Sequence, residues 1–314
     1  MRLGELLNEL HLHIDGSIRK STLAEWCPDL HVHSFGFKRG MTLQECLSCF
    51  ATTVGALNSP ERMERAVREI CEDQKSIGVH RTELRFAPHI HGVDTFEMVD
   101  AATRGLDEHS NLILCGLYGE SPKTFELLVE IAKNNRRVVG IDIAGGPKTT
   151  DKYGLHHYVD VYQEAKRYGL GRTAHVGEGR PASEIVDAIL MLDLQRLGHA
   201  CSLLESERAL DLVRDRAIVI EACPTSNLDT GIYKTQSQHP IKRWIEKGVR
   251  VSICADNSMM SGTNTIAELW STRFFSNLQN EHVKWVKESS ELGLFRRSEN
   301  GEVDDTIVPV VMCK

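Results

Sequence analysis

Short apolar, β-branched runs alternate along this chain with longer stretches in which apolar residues recur at helical spacing. The pattern predicts strands near residues 7–15, 79–86, 112–118, 138–143, 172–175, 196–199, 218–222 and 249–255. Between most of them the side-chain period changes from 2 to 3.6. Met63, Ala66, Val67, Ile70 and Cys71 follow the i, i+3, i+4, i+7, i+8 rule, with Ser59 as N-cap and Pro60 at the first helical position. Ser121-Pro122 opens another helix with Phe125, Leu128, Val129 and Ala132 as its stripe. Ser183 is read as the cap of a third, with Ile185, Val186 and Ile189 facing in. Eight strands alternating with helices over 314 residues fit a (β/α)₈ TIM barrel, one domain spanning 1–314, better than an open sheet. No Gly-x-Gly-x-x-Gly follows an early strand, so a dinucleotide-binding fold would lack its phosphate loop. Residues 27–40 read as an irregular excursion after the first strand. The tail 296–314, polar and then Val-rich, has no assigned place.

Composition narrows the function classes. At 41% hydrophobic residues the chain can bury a large core. A formal net charge of -7 argues against non-specific nucleic-acid binding, which needs a basic face. No apolar run is long enough to span a bilayer, so no membrane partner is expected. The chain enters its first strand almost at once, so no signal or transit peptide is expected. Cysteines number nine, an odd count. Cys115, Cys223 and Cys254 sit in strand-like runs as small hydrophobes. Cys46 and Cys49 form a C-x-x-C on one face of a helical pattern, without a second pair. The expected location is reducing and cytoplasmic.

Candidate chemistry gathers where a barrel places it, at the carboxyl ends of the strands. The first strand carries His11 and His13 on one face, with Leu10, Leu12 and Ile14 opposite, and ends at Asp15. The fifth ends in His175-Val176-Gly177-Glu178, the sixth in His199, and the eighth in Asp256-Asn257. Three histidines and one aspartate from strands one, five and eight can converge on one borderline metal ion, leaving Glu178 and His199 beside it as an acid/base pair.

These stretches resemble the adenosine deaminase family of metal-dependent purine deaminases, from about Glu9 to Phe275. The resemblance rests on ELHLHIDGS (9–17), TELRFAPH (82–89), GIDIAGG (140–146), TAHVGE (173–178), RLGHA (196–200) and CPTSN (223–227). It implies one Zn²⁺ per chain on His11, His13, His175 and Asp256. Glu178 would face the purine N1, and His199 would orient and deprotonate the zinc-bound water. Gly145 would offer its backbone to N3, Asp15 would reach the ribose, and His13 would also border the substrate. The implied partner is a small-molecule purine nucleoside; the sequence assigns no oligomeric state. One departure stands out. The family usually ends strand eight with a second aspartate that hydrogen-bonds N7, and then a proline; here Asn257 and Ser258 follow Asp256. An amide can still donate to N7 but brings no charge. Gly146-Pro147 stands where acidic residues usually follow strand four, and 27–40 is shortened, which implies an altered lid on the ribose side.

The remaining histidines, His31, His33, His89, His91, His156 and His157, read as surface or loop residues. Arg85 reads as part of a buried ion-pair network. Pro224, Ser226 and Asn227 read as loop-shaping residues. The favoured function is zinc-dependent deamination of an adenine-containing nucleoside, adenosine to inosine and ammonia. Alternatives are action on adenine base or on 5′- or N6-substituted adenosine, and a catalytically weak purine binder. A binuclear barrel hydrolase would need a carboxylated lysine at the end of strand four, and 141–146 contains none.

Overall fold

Each strand is a run of apolar residues bounded by turns and covered on its outer side by a helix, so nearly every strand position is buried. The computed structural model describes residues 6–297. Its strands are β1 (Glu9–His13), β2 (Thr82–Phe86), β3 (Ser110–Leu117), β4 (Val138–Ala144), β5 in two pieces (Gly171–Arg172 and His175–Val176), β6 (Arg196–His199), β7 (Val219–Ala222) and β8 (Arg250–Ile253). All pairings are parallel and in chain order. One arc runs from β1 to the first piece of β5, and the other from the second piece of β5 to β8. The arcs meet at both seams. Across the break in β5, the Thr173 amide donates to Ile141 O (3.1 Å) and the Gly198 amide to Ala174 O (2.8 Å). At the other seam Leu12 bridges Asp256, with the His13 amide on Asp256 O (2.7 Å) and the Asp256 amide on His11 O (2.9 Å). This is a TIM barrel, whose helices lie outside the strands.

The seam is what brings strand eight's aspartate against strand one's histidines. Below them the barrel is plugged by charge rather than by apolar side chains alone. Arg85 Nη1 lies 2.9 Å from Asp142 Oδ2, and its Nη2 lies 2.9 Å from Glu221 Oε2. Arg196 reaches Glu221 (2.7 Å) and Glu83 (2.5 Å). Arg85 is therefore the centre of a buried ion-pair network, as its place inside β2 implied.

The helix Pro60–Ser76 starts as expected, with Ser59 accepting from the Arg62 amide, and Pro122–Asn134 starts behind Ser121. Ser183 does not cap its helix. That helix, Ala182–Leu192, begins one residue earlier behind Pro181, whose fixed φ of -60° sets the entry without a side-chain bond. The excursion 27–40 is irregular and pinned at its end, where the Phe37 amide donates to Met260 O (2.8 Å). Of the tail, only Arg296 and Arg297 lie within the described residues.

Candidate functional site

Four side chains from three strand ends meet at the mouth of the barrel. His13 Nε2 and His175 Nε2 are 3.2 Å apart, and Asp256 Oδ1 lies 3.5 Å from both His11 Nε2 and His13 Nε2. His11, His13 and His175 form one group whose ligand atoms lie within 4.8 Å of one another. Donors bonded tetrahedrally to a zinc-sized ion at about 2.0–2.1 Å sit roughly 3.3 Å apart, which matches these separations. His11 Nε2 is buried without a hydrogen-bond partner, an orphan that a bound cation would satisfy. These residues fit a divalent metal.

The outer nitrogens of two of these imidazoles are anchored by the ionic layer beneath. His11 Nδ1 lies 2.6 Å from Glu221 Oε2, and His175 Nδ1 lies 3.1 Å from Asp142 Oδ2. A carboxylate behind a ligand histidine fixes its tautomer and turns the other nitrogen toward the metal. Burial alone would raise the pKa of Asp142 and Glu221. The charges of His175 and Arg85 hold Asp142 well below the usual range, and those of Arg85 and Arg196 do so for Glu221. Burial should also depress His11, yet its contacts with Asp256 and Glu221 lift it to about 9. The carboxylates thus call for positive charge at this point, and a metal ion meets that demand without a proton. Asp142 and Glu221 escaped the sequence reading, although a carboxylate in the middle of an otherwise apolar strand was the signal available.

Beside the cluster opens a cavity of about 430 Å³. His13, Asp15, Gly145, His175, Glu178, His199, Asp256 and Asn257 all border it, while His11 lies beneath. Its outer wall comes mainly from the helix Leu43–Ala56, through Leu43, Leu47, Phe50 and Val54, with Phe37 the one contribution of 27–40 among the lining residues. Glu178 is 5% exposed, and burial, helped by the charge of Asp256, pushes its carboxyl up to about 7. His199 Nε2 lies 3.8 Å from Glu178 Oε2 and 4.0 Å from Asp256 Oδ2. Both His199 and Asp256 hold positive φ (62° and 61°), a costly backbone for residues with a Cβ and one concentrated at functional sites. Gly145 has φ 75° with open space around it, so the turn rather than crowding demands glycine there.

Two residues are more engaged than their sequence context implied. His91 is 4% exposed, not a surface histidine. Its Nε2 lies 3.2 Å from Asp15 Oδ1, and that carboxylate overcomes burial to raise the imidazole's pKa. Asn227 does more than shape a loop: it contacts the ring of His199 at 3.1 Å. Asn257 donates its amide to Asp256 Oδ1 (2.7 Å). Its Oδ1 sits so close over Gly16 that a Cβ there would come within 1.9 Å. The opposite amide orientation would set two oxygens against each other, so the N–H must face the carboxylate.

A parallel barrel that gathers histidines and carboxylates able to hold a metal ion at the carboxyl ends of its strands has the architecture of a barrel enzyme, whose active site lies at that end. Comparison with known proteins narrows the class: the adenosine deaminase family profile matches residues 7–295, and the chain belongs to that family. An adenosine deaminase from Clostridium perfringens (strain SM101 / Type A) is 31% identical over 306 residues, covering 88% of this chain and 90% of the relative. Among solved structures, an adenine deaminase from Arthrobacter aurescens superposes with a TM-score of 0.83 at 20% identity, covering 94% of this chain and 95% of that one. The N6-methyl-AMP deaminase of Arabidopsis thaliana gives 0.81 at 24% identity, covering 95% of each chain. Among the described residues no helix is long and apolar enough to cross a membrane.

Proposed function

We propose that this protein is a zinc-dependent aminohydrolase that converts an adenine-containing nucleoside, adenosine in the first instance, to the corresponding hypoxanthine compound and ammonia. The observation that carries the reading is the convergence of His11, His13, His175 and Asp256 beside a buried carboxyl, Glu178, that holds its proton near neutral pH. Nitrogen-rich borderline donors with one carboxylate suit zinc. When bound, zinc lowers the pKa of water from 15.7 to about 7 and so supplies a nucleophile at neutral pH.

The chain's own residues supply the rest. An adenine ring resists addition at C6 until N1 accepts a proton; Glu178 gives that proton and is reprotonated in turn by a proton from the water. Oxygen from water bonds to C6, the C6–amine bond breaks, and ammonia leaves. Of the water's two protons, one completes the ammonia and the other ends on N1 of the product. His199 holds a proton at the wall shared by Glu178 and Asp256. Gly145, with its backbone bared by the turn, meets N3, and the Asp15–His91 pair receives the ribose. Asn257 uses one amide N–H on Asp256, which leaves the second for N7. The names of the relatives support an adenine ring without choosing its decoration.

The test is turnover of a panel comprising adenine, adenosine, 2′-deoxyadenosine, N6-methyladenosine and the 5′-monophosphates of these nucleosides, read by loss of the adenine ultraviolet band and by release of ammonia, or of methylamine from the N6-methyl compounds. Adenosine should be turned over, and its 7-deaza analogue should bind worse by about 1–3 kcal/mol, one buried hydrogen bond left unmade. No ammonia from any adenine compound would refute the proposal. Equal turnover of adenosine and 7-deazaadenosine would remove N7 from the contacts of Asn257.

A further inference from the structure

Behind His199, on the side away from the cavity, runs a closed chain of hydrogen-bonding groups. Asn227 Nδ2 lies 3.1 Å from His199 Nδ1, and Asn227 Oδ1 lies 3.1 Å from His239 Nε2. All three residues are buried: Asn227 is 0%, His199 1% and His239 4% exposed. His239 packs against Tyr233 and edge-on to Trp244, and its Nδ1 has no partner. Burial drives the pKa of His239 down to about 3, so the ring is neutral and carries one proton.

Only two arrangements satisfy such a chain. In the first, His239 carries its proton on Nε2 and donates to Asn227 Oδ1, and the Asn227 amide donates to His199 Nδ1. A neutral His199 must then carry its proton on Nε2, facing the cavity. In the second, every bond is reversed, and His239 must carry its proton on Nδ1. That N–H would be buried with no acceptor, whereas the first arrangement leaves only a lone pair unmet. The reacting side agrees. His199 Nε2 lies 4.0 Å from Asp256 Oδ2, and an N–H is better placed toward that carboxylate than a lone pair.

We propose that Asn227 and His239 are positioning residues that hold neutral His199 in the tautomer with its proton on Nε2, so that His199 enters the reaction as a hydrogen-bond donor to the oxygen arriving at the ring carbon. The inference rests on the deaminase reading for its consequence but not for its observable. The tautomer is a property of the resting protein, where the sequence resemblance had implied a base. Neither Asn227 nor His239 is among the residues lining the cavity; they act through His199.

The test is ¹⁵N NMR of the full-length, zinc-loaded protein labelled at histidine, with the His199 resonances assigned by their loss in His199→Gln. Wild type should show the proton on Nε2 and a bare, hydrogen-bonded Nδ1. Asn227→Asp replaces the donor by an acceptor and should move the proton to Nδ1. His239→Gln can still donate to Asn227 and should preserve the tautomer, whereas His239→Phe cannot and should give a mixture. Asn227→Asp should lower kcat by between roughly tenfold and the ~10⁴-fold that a wrong tautomer costs a catalytic histidine elsewhere, with KM changed far less. A wild-type proton on Nδ1, or a tautomer indifferent to Asn227→Asp and to His239→Phe, overturns the proposal. If Asn227→Asp does not fold, the contrast between His239→Gln and His239→Phe decides. Failure on substrate with the tautomers as stated would count against the deaminase reading alone.

Discussion

Glu221→Gln isolates what the ionic floor does for the metal cluster. One oxygen of Glu221 meets His11 Nδ1 at 2.6 Å and Arg85 at 2.9 Å; the other meets Arg196 at 2.7 Å and Thr173 Oγ1 at 3.2 Å. The carboxylate is saturated with donors and fully buried. A glutamine of the same shape keeps one acceptor oxygen, and its NH₂ must face donors on the other side whichever way it turns. Two buried guanidinium groups also lose a charge partner. Breaking a buried pair in this way costs about 3–5 kcal/mol. Loss of the anchor behind His11 should separately weaken the metal site by roughly 10–100-fold, the usual effect of removing a partner behind a ligand histidine. The two effects are read by urea denaturation of metal-free protein and by competition for zinc with a chromophoric chelator. Stability within about 1 kcal/mol of wild type, together with unchanged zinc affinity, would refute the claim that this layer orients the cluster.

Two further perturbations act elsewhere. Glu178→Gln should retain metal and fold but lose roughly 10² or more in kcat, the scale of one general acid. Because the wild-type carboxyl loses its proton near pH 7, wild-type turnover should fall as pH rises above that value; a variant within a few-fold of wild type would remove Glu178 from the acid's role. Glu268 lies away from the cluster, and burial lifts its carboxyl from 4.5 to about 7. The folded state therefore binds its proton more tightly than the unfolded chain, and stability falls as pH rises from about 4.5 to about 7. By about pH 8 the deficit is roughly 3 kcal/mol, so Glu268→Gln should raise the urea midpoint there and much less at about pH 5. An equal effect at both pH values would exclude the cause.

The barrel was legible because eight short apolar segments alternate, in most intervals, with segments of helical period, and each strand is too apolar to face water. The break in β5 was not, since Thr173-Ala174 reads as ordinary strand; only the neighbours reveal that the ladder continues through single bonds at Ile141 and Gly198. The four residues proposed as metal ligands were picked out at strand ends because side-chain chemistry there is at odds with core packing, and the structure brings them together. Its supports were harder to see. Asp142 and Glu221 lie on different strands, and nothing local shows that both converge on Arg85. His91 and Asn227 were assigned to loops by neighbours in sequence, whereas their roles come from partners far along the chain, Asp15 and His199. Ser183 shows the opposite failure, a good capping residue displaced by a proline two positions earlier.

In the proposed reaction, His11, His13, His175 and Asp256 hold one catalytic metal ion beside a purine pocket. Metal analysis of the purified protein, coupled to ammonia release from adenosine before chelation, after exhaustive chelation and after re-addition of zinc, tests it most directly. One ion per chain is expected, with loss of ammonia release when the ion is stripped, recovery with zinc, and neither metal nor recovery in His13→Ala. Ammonia release undiminished in protein from which all metal has been removed would contradict it.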